Sequence, residues 1–446
     1  MPGIGLKTEE RLLRETERLQ QRSLRLLLSL ALPAADEVVD LLRGHPAVER
    51  VEPAGSIRRR CATVGDIDLV ASSRRPEEVM RTFTTLPLLK EIIARGDTKS
   101  SILTHDDLQI DLRVVHPSIY GAALQHFTGS KAHNIHLRDL AIAAGCKLNE
   151  YGLFSLADGH LVAGATEEEV YHALGLDCPP PELREDTGEI EAAARGELPD
   201  LVTDNDVRGD LHVHSDWSDG NGTIEAMAQA AIARGYEYIA VTDHSQSLPV
   251  AHGLSVERVR DQRRLIDELN HKYRPFRILH GTEVEIKGDG SLDYPEEVLR
   301  HFDVVTASLH SGRGQPRERV TARVLRALTN PNVVVLNHPT GRILNRRAAY
   351  DVDIAEAIRA AAELGVALEI NGTPDRLDLD ENWARRAKAS GVLLAVNSDA
   401  HSPSQLSFAR WGVAVARRAW LGRQDVLNAL PLQDLLARLG RLRRAA

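Results

Sequence analysis

From residue 207 onward, short β-branched apolar runs alternate with stretches whose apolar residues recur every three to four positions. The runs fall at 207–213, 238–242, 277–284, 303–308, 333–336, 366–370 and 392–396. Continuous apolar runs of this length read as strands buried on both faces. The periodic stretches between them, such as "TIEAMAQAAIARG" and "DIAEAIRAAAELG", read as amphipathic helices, several closed by a C-terminal glycine. Seven β–α repeats within residues 207–446 predict a parallel sheet closed into a barrel, with an open doubly wound sheet as the competing arrangement.

Earlier in the chain the pattern is mixed. Residues 6–29 and "AADEVVDLLRGH" have helical spacing, strands are expected at 48–54, 65–71 and 107–115, and helices follow from 119. That predicts an α+β unit. Between the halves, "CPPPELREDTGEIEAAARGELPDLVTDND" (178–206) mixes prolines, glycines and acidic residues, and reads as a linker with the domain boundary near 200. The length of 446 residues suits such a multidomain chain.

Composition changes this picture little, and charge changes it in one respect. The net charge of −9 seems to argue against a nucleic-acid partner. Residues 151–206, however, hold 2 Lys/Arg and 14 Asp/Glu, a balance of −12 that exceeds the whole deficit. The flanking regions are therefore near neutral, and either can carry a basic face. No apolar run reaches the ~18–20 residues that span a bilayer, and the start is polar. Three scattered cysteines, Cys61, Cys146 and Cys178, form no paired framework, so a reducing cytoplasm and no membrane partner are expected.

The polar residues at the ends of the predicted barrel strands carry the first chemistry. They are His212 and His214 in "DLHVHSDWSDG", with Asp219 in the following loop, then His244, Glu283, His310, His338, Asp399 and His401. Side chains at i and i+2 share a strand face, so His212/His214 and Asp399/His401 are each natural ligand pairs. The C-terminal rim of a parallel barrel is where sites assemble. Imidazoles plus carboxylates, without cysteine, suit two or three Zn²⁺, Mn²⁺ or Fe²⁺ ions. One histidine alone would more often be a hydrogen-bonded core residue; one at nearly every strand end is a set. Arg313 in "SGRG" is either a phosphate clamp or a solvated loop arginine.

These motifs, with "VTDHS", "SLHSG", "NHP" and "NSDAH", resemble those of the polymerase-and-histidinol-phosphatase (PHP) superfamily of metal-dependent phosphoesterases. The resemblance implies a distorted (β/α)7 barrel with a three-metal site at those nine positions.

The second chemistry lies at residues 54–70, "AGSIRRRCATVGDIDLV". Asp66 and Asp68 alternate along a strand and face one way; Asp111 in "LQIDLRVV" sits on a second strand. Three such carboxylates suit a two-Mg²⁺ site for nucleotidyl transfer. Gly55, Ser56 and the arginines after them would cradle a triphosphate. A lone Asp-x-Asp is usually surface decoration; with Gly-Ser ahead of it and a third aspartate it is more specific.

"HFTGSKAHNIHLRDLA" (126–141) resembles the nucleotide-binding thumb of family X DNA polymerases, and "GS…GDIDL" resembles their palm. The resemblance implies that Ser56, Arg59 and Gly65 hold the triphosphate, that Phe127 and Gly129 pack by the sugar, and that Asn134 and Arg138 face the minor-groove side of the base pair. His126 stands where many members have tyrosine. "PPELREDTGEIEAA" resembles the join to a fused PHP domain. Members usually begin with helix–hairpin–helix elements; here the "PGIG" half of one, at 2–5, follows Met1 directly, so a shortened front end is expected.

The expectation is an α+β nucleotidyltransferase palm and thumb followed by a distorted (β/α)7 PHP barrel. Its boundaries are 1–30 for a fingers remnant, 31–118 palm, 119–180 thumb, 181–206 acidic linker and 207–446 barrel. The expected protein is a monomeric DNA repair polymerase acting on gaps and 3′ ends with dNTPs, its barrel serving as a 3′-5′ exonuclease or 3′-phosphatase. The rivals are a histidinol-phosphatase-like small-molecule phosphoesterase with an inactive front half, and a non-catalytic DNA-end-binding module.

Overall fold

The computed structural model describes residues 25–444, with side chains to residue 440. The "PGIG" element, and the expected helix or helices up to residue 24, lie outside the described residues. The chain divides between Leu198 and Pro199 into two units.

In the described part of the first unit a short strand, Leu26–Leu27, leads into a helix, Leu28–Arg43, which buries Leu28, Ala31, Leu32, Ala35, Val38, Val39 and Leu42 as one apolar stripe. The helix packs on a five-stranded sheet made of β1 (Arg50–Pro53), β2 (Ile67–Ser72), β3 (Leu89–Arg95), β4 (Lys99–Thr104) and β5 (Gln109–Val115), in the order β1-β2-β5-β4-β3. β2 and β5 are parallel, and their register sets Asp68 opposite Asp111. β5 alternates strictly between buried and partly exposed positions, and Asp111 falls in the exposed phase. The β3–β4 hairpin was not foreseen: β3 is an edge strand, exposed at six of its seven residues, Ile92 and Ile93 among them, so its apolar residues do not alternate with polar ones as in a half-buried strand.

The second half of this unit departs from expectation. Helices Tyr120–Thr128 and Lys131–Ala143 fall where helices were expected, but residues 146–163 form a three-stranded antiparallel sheet, β6 (Cys146–Asn149), β7 (Gly152–Ser155) and β8 (Leu161–Ala163). Turn chemistry decides this: Asn149 Oδ1 accepts from Tyr151 N at 2.9 Å, and Gly152 adopts φ +143°. The segment expected as a linker is also largely packed. Arg184 is fully buried against Glu167, and Glu189 is buried against His133. Ile190 and Ala193 join the core of Leu137, Leu153 and Tyr171.

The second unit holds seven parallel strands in chain order: β9 (Gly209–Val213), β10 (Tyr238–Val241), β11 (Arg277–Glu285), β12 (Val304–Ser308), β13 (Val333–Leu336), β14 (Ala367–Asn371) and β15 (Leu394–Asn397). The ends meet: Val213 bridges to Ala400, His214 N donates to Ala400 O at 2.8 Å, and Leu211 N donates to the Asn397 side chain at 3.1 Å. The sheet is thus a nearly closed (β/α)7 barrel and not an open doubly wound sheet. Side-chain and bridge contacts stand in for a full ladder between first and last strand, which is its distortion. One end is filled by Leu211, Ala240, Leu279, Val335 and Ala395 packed with Leu435 and Leu439 from the last helix. No helix among the described residues is long and apolar enough to cross a membrane.

Candidate metal centre and nucleotide site

The C-terminal ends of the barrel strands deliver all nine predicted rim residues to one place. They form four overlapping groups whose ligand atoms lie within 4.8 Å of one another: His214/Asp219/His244/His401, His212/His338/Asp399, His212/His214/Glu283 and His244/Glu283/His310. Glu283 is central. Its Oε1 faces Nε2 of His338 at 3.0 Å, of His212 at 3.5 Å and of His310 at 3.6 Å, while Oε2 faces His244 Nδ1 at 3.0 Å and His214 Nε2 at 3.6 Å. Asp219 stands 3.4 Å from His244, 3.5 Å from His401 and 3.7 Å from His214. Asp399 lies 3.3 Å from His214 and 3.5 Å from His212.

Electrostatics fit a cation here. His214 is wholly buried, yet neither ring nitrogen has a hydrogen-bond partner. Burial, reinforced by His401 and His244, pushes its pKa down to about 3, so it is a neutral imidazole with a free lone pair. Such orphaned nitrogens are costly unless something ligates them. For His244 burial opposes the charge, but Glu283 and Asp219 prevail and raise it to about 10. The buried carboxylates thus hold protons on neighbouring imidazoles where metal ions would otherwise balance their charge.

Several supporting residues were not foreseen. Glu369 accepts from His212 Nδ1 at 2.8 Å and from the His338 backbone N–H at 2.7 Å; Glu285 takes His310 Nδ1 at 3.0 Å. Asp243 ties Ser215 and Ser218 of the "HVHSDWSD" loop. Carboxylates behind ligating histidines fix ring orientation. Their signal was a lone acid within a fully buried strand: "ALEIN" for Glu369, and the i+2 partner of Glu283 for Glu285.

In the first unit, β2 and β5 bring Asp68 and Asp111 side by side, and Asp66 stands exposed just before β2. Asp68 is raised to about 6 by burial and then by Asp66 and Asp111, with Lys99 and Arg113 opposing. Lys99 Nζ is 3.7 Å from Asp111. The three do not close to a 4.8 Å set among the described residues, unlike the barrel ligands; Lys99 and Arg113 offset only part of the mutual repulsion of the three carboxylates, and Asp68 stays raised. Gly55 begins a short helix beside them at φ +58°, where a Cβ would stand 3.1 Å from Asp68 Oδ2. Ser56 follows on that helix, and Gly65 precedes Asp66.

The remaining predicted residues gather elsewhere in this unit. Arg59, His126, Phe127, Gly129, Asn134 and Arg138 line a cavity of about 340 Å³, with Thr128 and Lys131. Arg59 bonds the Thr128 carbonyl and Glu185. Asn134 Nδ2 donates to His126 O at 2.7 Å, and the Arg113 guanidinium lies 4.4 Å above the Phe127 ring. Burial lowers the His126 pKa, so this residue is neutral at pH 7. Lys131 was not singled out from sequence, although it sits at the first turn of the same helix.

Comparison with known proteins agrees with this division. A model of the DNA polymerase beta thumb matches residues 123–185, and one of the PHP domain matches residues 210–373. A DNA polymerase/3′-5′ exonuclease PolX from Bacillus subtilis (strain 168) is 40% identical over 443 residues, covering 99% of this chain and 77% of that protein. A probable phosphatase from Thermoanaerobacter sp. (strain X514) is 33% identical over 232 residues, 49% of this chain and 89% of its own. One from Shewanella oneidensis is 29% identical over 234 residues, 50% of this chain and 88% of its own.

Proposed function

The chain belongs to the family X DNA polymerases that carry a PHP domain, and on that premise we propose that it adds dNTPs to a DNA 3′ end in its first unit and removes 3′-terminal nucleotides or 3′ phosphates in its barrel, as a cytoplasmic monomer acting at gaps and 3′ ends. One observation supports the reading: a nine-residue candidate ligand set and a cavity lined by the residues expected to receive the nucleotide occur in the same chain, one in each unit. We assign 31–118 to the palm, 119–198 to the thumb, which takes in most of the former linker, 199–206 to the connector and 207–446 to the barrel.

Divalent ions, Mg²⁺ on Asp66, Asp68 and Asp111 and Mn²⁺, Zn²⁺ or Fe²⁺ on the nine rim ligands, would polarise phosphate oxygens, offset their charge and acidify water. The protein's own groups do the positioning. Gly55 lets the backbone approach the carboxylates, and Ser56, Arg59 and Gly65 receive the triphosphate. Phe127 and Gly129 form the sugar wall, His126 meets the sugar edge, and Asn134 and Arg138 read the minor-groove side. In the barrel, Glu369 and Glu285 hold His212 and His310 in single orientations.

The test uses a labelled gapped duplex with and without dNTPs. Asp66→Asn with Asp68→Asn should abolish extension and leave shortening; His212→Ala or Asp399→Asn should do the reverse. A barrel variant with full 3′ removal would refute the assignment. The phosphatase relatives favour a second reading, a small-molecule phosphoesterase. It would be adopted if the protein hydrolysed histidinol phosphate but left DNA untouched.

A further inference from the structure

Two arginines stand by one aromatic ring on the metal rim and a third reaches Asp399 of the rim, from three successive loops. Arg313 follows β12, Arg347 follows β13 and Arg376 follows β14. The guanidinium carbons of Arg313 and Arg347 each stand 5.9 Å from the centre of the Tyr350 ring. Tyr350 is 9% exposed, and its hydroxyl donates to Leu309 O at 2.7 Å, so the ring is a fixed platform. Arg376 Nε lies 3.7 Å from Oδ2 of Asp399, one of the nine metal-set residues.

Both outer arginines are tethered through backbone carbonyls close to metal-set histidines. Arg313 Nε donates to His310 O at 2.8 Å, which leaves both terminal nitrogens clear of that anchor. Arg347 donates through Nε and Nη2 to Gly341 O at 3.2 and 2.7 Å, three residues beyond His338. Their bonds within the protein go to carbonyls; neither forms an ion pair with a carboxylate among the described residues. Arg347 is held below the ordinary arginine pKa by burial and then by the charge of Arg313. Like charges gathered this closely cost free energy, and a guanidinium pair matches the planar, bidentate recognition that phosphate receives from arginine.

The geometry points to a subsite in which Arg313 and Arg347 grip the internucleotide phosphate adjacent to the scissile one, with Arg376 alongside Asp399 at the metal end. The ligand class is a nucleic-acid 3′ strand carrying at least two phosphodiesters, and the subsite makes the barrel select a strand over a lone phosphate ester. This rests on the reading of the barrel as a 3′-5′ nuclease. A small phosphomonoester has no second phosphate and gains nothing from the pair.

The experiment compares the full chain, loaded with Mn²⁺, on a dinucleoside monophosphate and a trinucleoside diphosphate. The wild type should favour the trinucleotide in kcat/KM by about tenfold or more, as expected for a charge-assisted pair. Arg313→Ala with Arg347→Ala should bring that ratio close to one, mainly through KM. It should also reduce the salt slope of binding a single-stranded oligonucleotide by about 0.7, the contribution of one phosphate. The ratio is internal to each protein, so partial loss of folded enzyme does not affect it. A double variant that kept both the preference and the slope would overturn the subsite, as would a wild type that cleaved both substrates equally. A wild type that hydrolysed neither substrate would overturn the nuclease reading, and the subsite with it.

Discussion

Glu283 is one carboxylate facing five imidazoles, and Asp68 is one carboxylate facing two others. The difference sets how each site behaves without metal. The barrel carboxylates are compensated by protons on their histidines, whereas Asp68 is raised from 3.8 to about 6 by burial and by Asp66 and Asp111. A carboxyl whose folded pKa lies above its unfolded value costs nothing at low pH. Its penalty grows as pH rises through that window and is complete above about 6. The ceiling is about 3 kcal/mol for a shift of this size. In chelator at pH 7.5, Asp68→Asn should therefore melt higher than wild type, and the gap should close as pH falls toward 4. Magnesium should raise the wild-type melt and leave the variant unmoved. A variant less stable than wild type in chelator at neutral pH would show that Asp68 is not strained by its neighbours. At this scale the sequence was most legible where ligands recur at strand ends. Glu369 and Glu285 escaped notice because a supporting carboxylate has no motif of its own, only a buried address.

At the scale of elements, the seven barrel strands were legible because each is buried on both faces and so reads as a short β-branched apolar run, interrupted mainly by the polar residues that build the site. The thumb sheet was not: β6–β8 are three to four residues long, and β8 is mostly exposed. The stretch 181–206 is expected to be a linker because its charges look solvated, but Arg184 and Glu189 within it are buried, Arg184 against Glu167 of the thumb. Glu167 accepts from Arg58 at 2.6 Å and from Arg184, and though burial alone would raise its pKa, the two guanidiniums bring it to about 2. That contribution is present above the unfolded carboxyl range and is lost as pH falls toward 2. Glu167→Gln would leave two partly or fully buried guanidiniums short of charge, and should cost about 3–5 kcal/mol, seen as a lower urea midpoint and loss of dNTP incorporation. Removing the exposed Arg43–Asp40 pair should cost under about 1 kcal/mol. Equal effects from the two changes would mean that the segment is not integral to the thumb.

For the whole molecule, the proposed reading gives two candidate metal sites of unlike construction the same kind of substrate, a DNA 3′ end. The barrel candidates are mostly buried imidazoles in overlapping sets of three and four, with Glu369 and Glu285 behind His212 and His310 and Asp243 tying the loop after His214. The palm offers three carboxylates, one of them exposed, which do not close into one tight set. Imidazole-rich sites retain transition metals against dilution, while Mg²⁺ keeps much of its water and exchanges readily from a few carboxylates. Protein purified with its barrel loaded and then diluted into metal-free buffer should therefore shorten a labelled primer even when dNTPs are present. Adding millimolar Mg²⁺ should switch the net outcome to extension without changing the shortening rate measured when dNTPs are omitted. A strong chelator applied slowly should abolish shortening last, and acidification should hasten its loss, because each departing ion is replaced by protons on the histidines. Elemental analysis across the same dilution should track the shortening activity and not the extension activity. If both activities fell together on dilution and both returned with Mg²⁺ alone, the two sites would be of one kind. The contrast between the buried imidazole cluster and the open carboxylate trio would then carry no functional meaning.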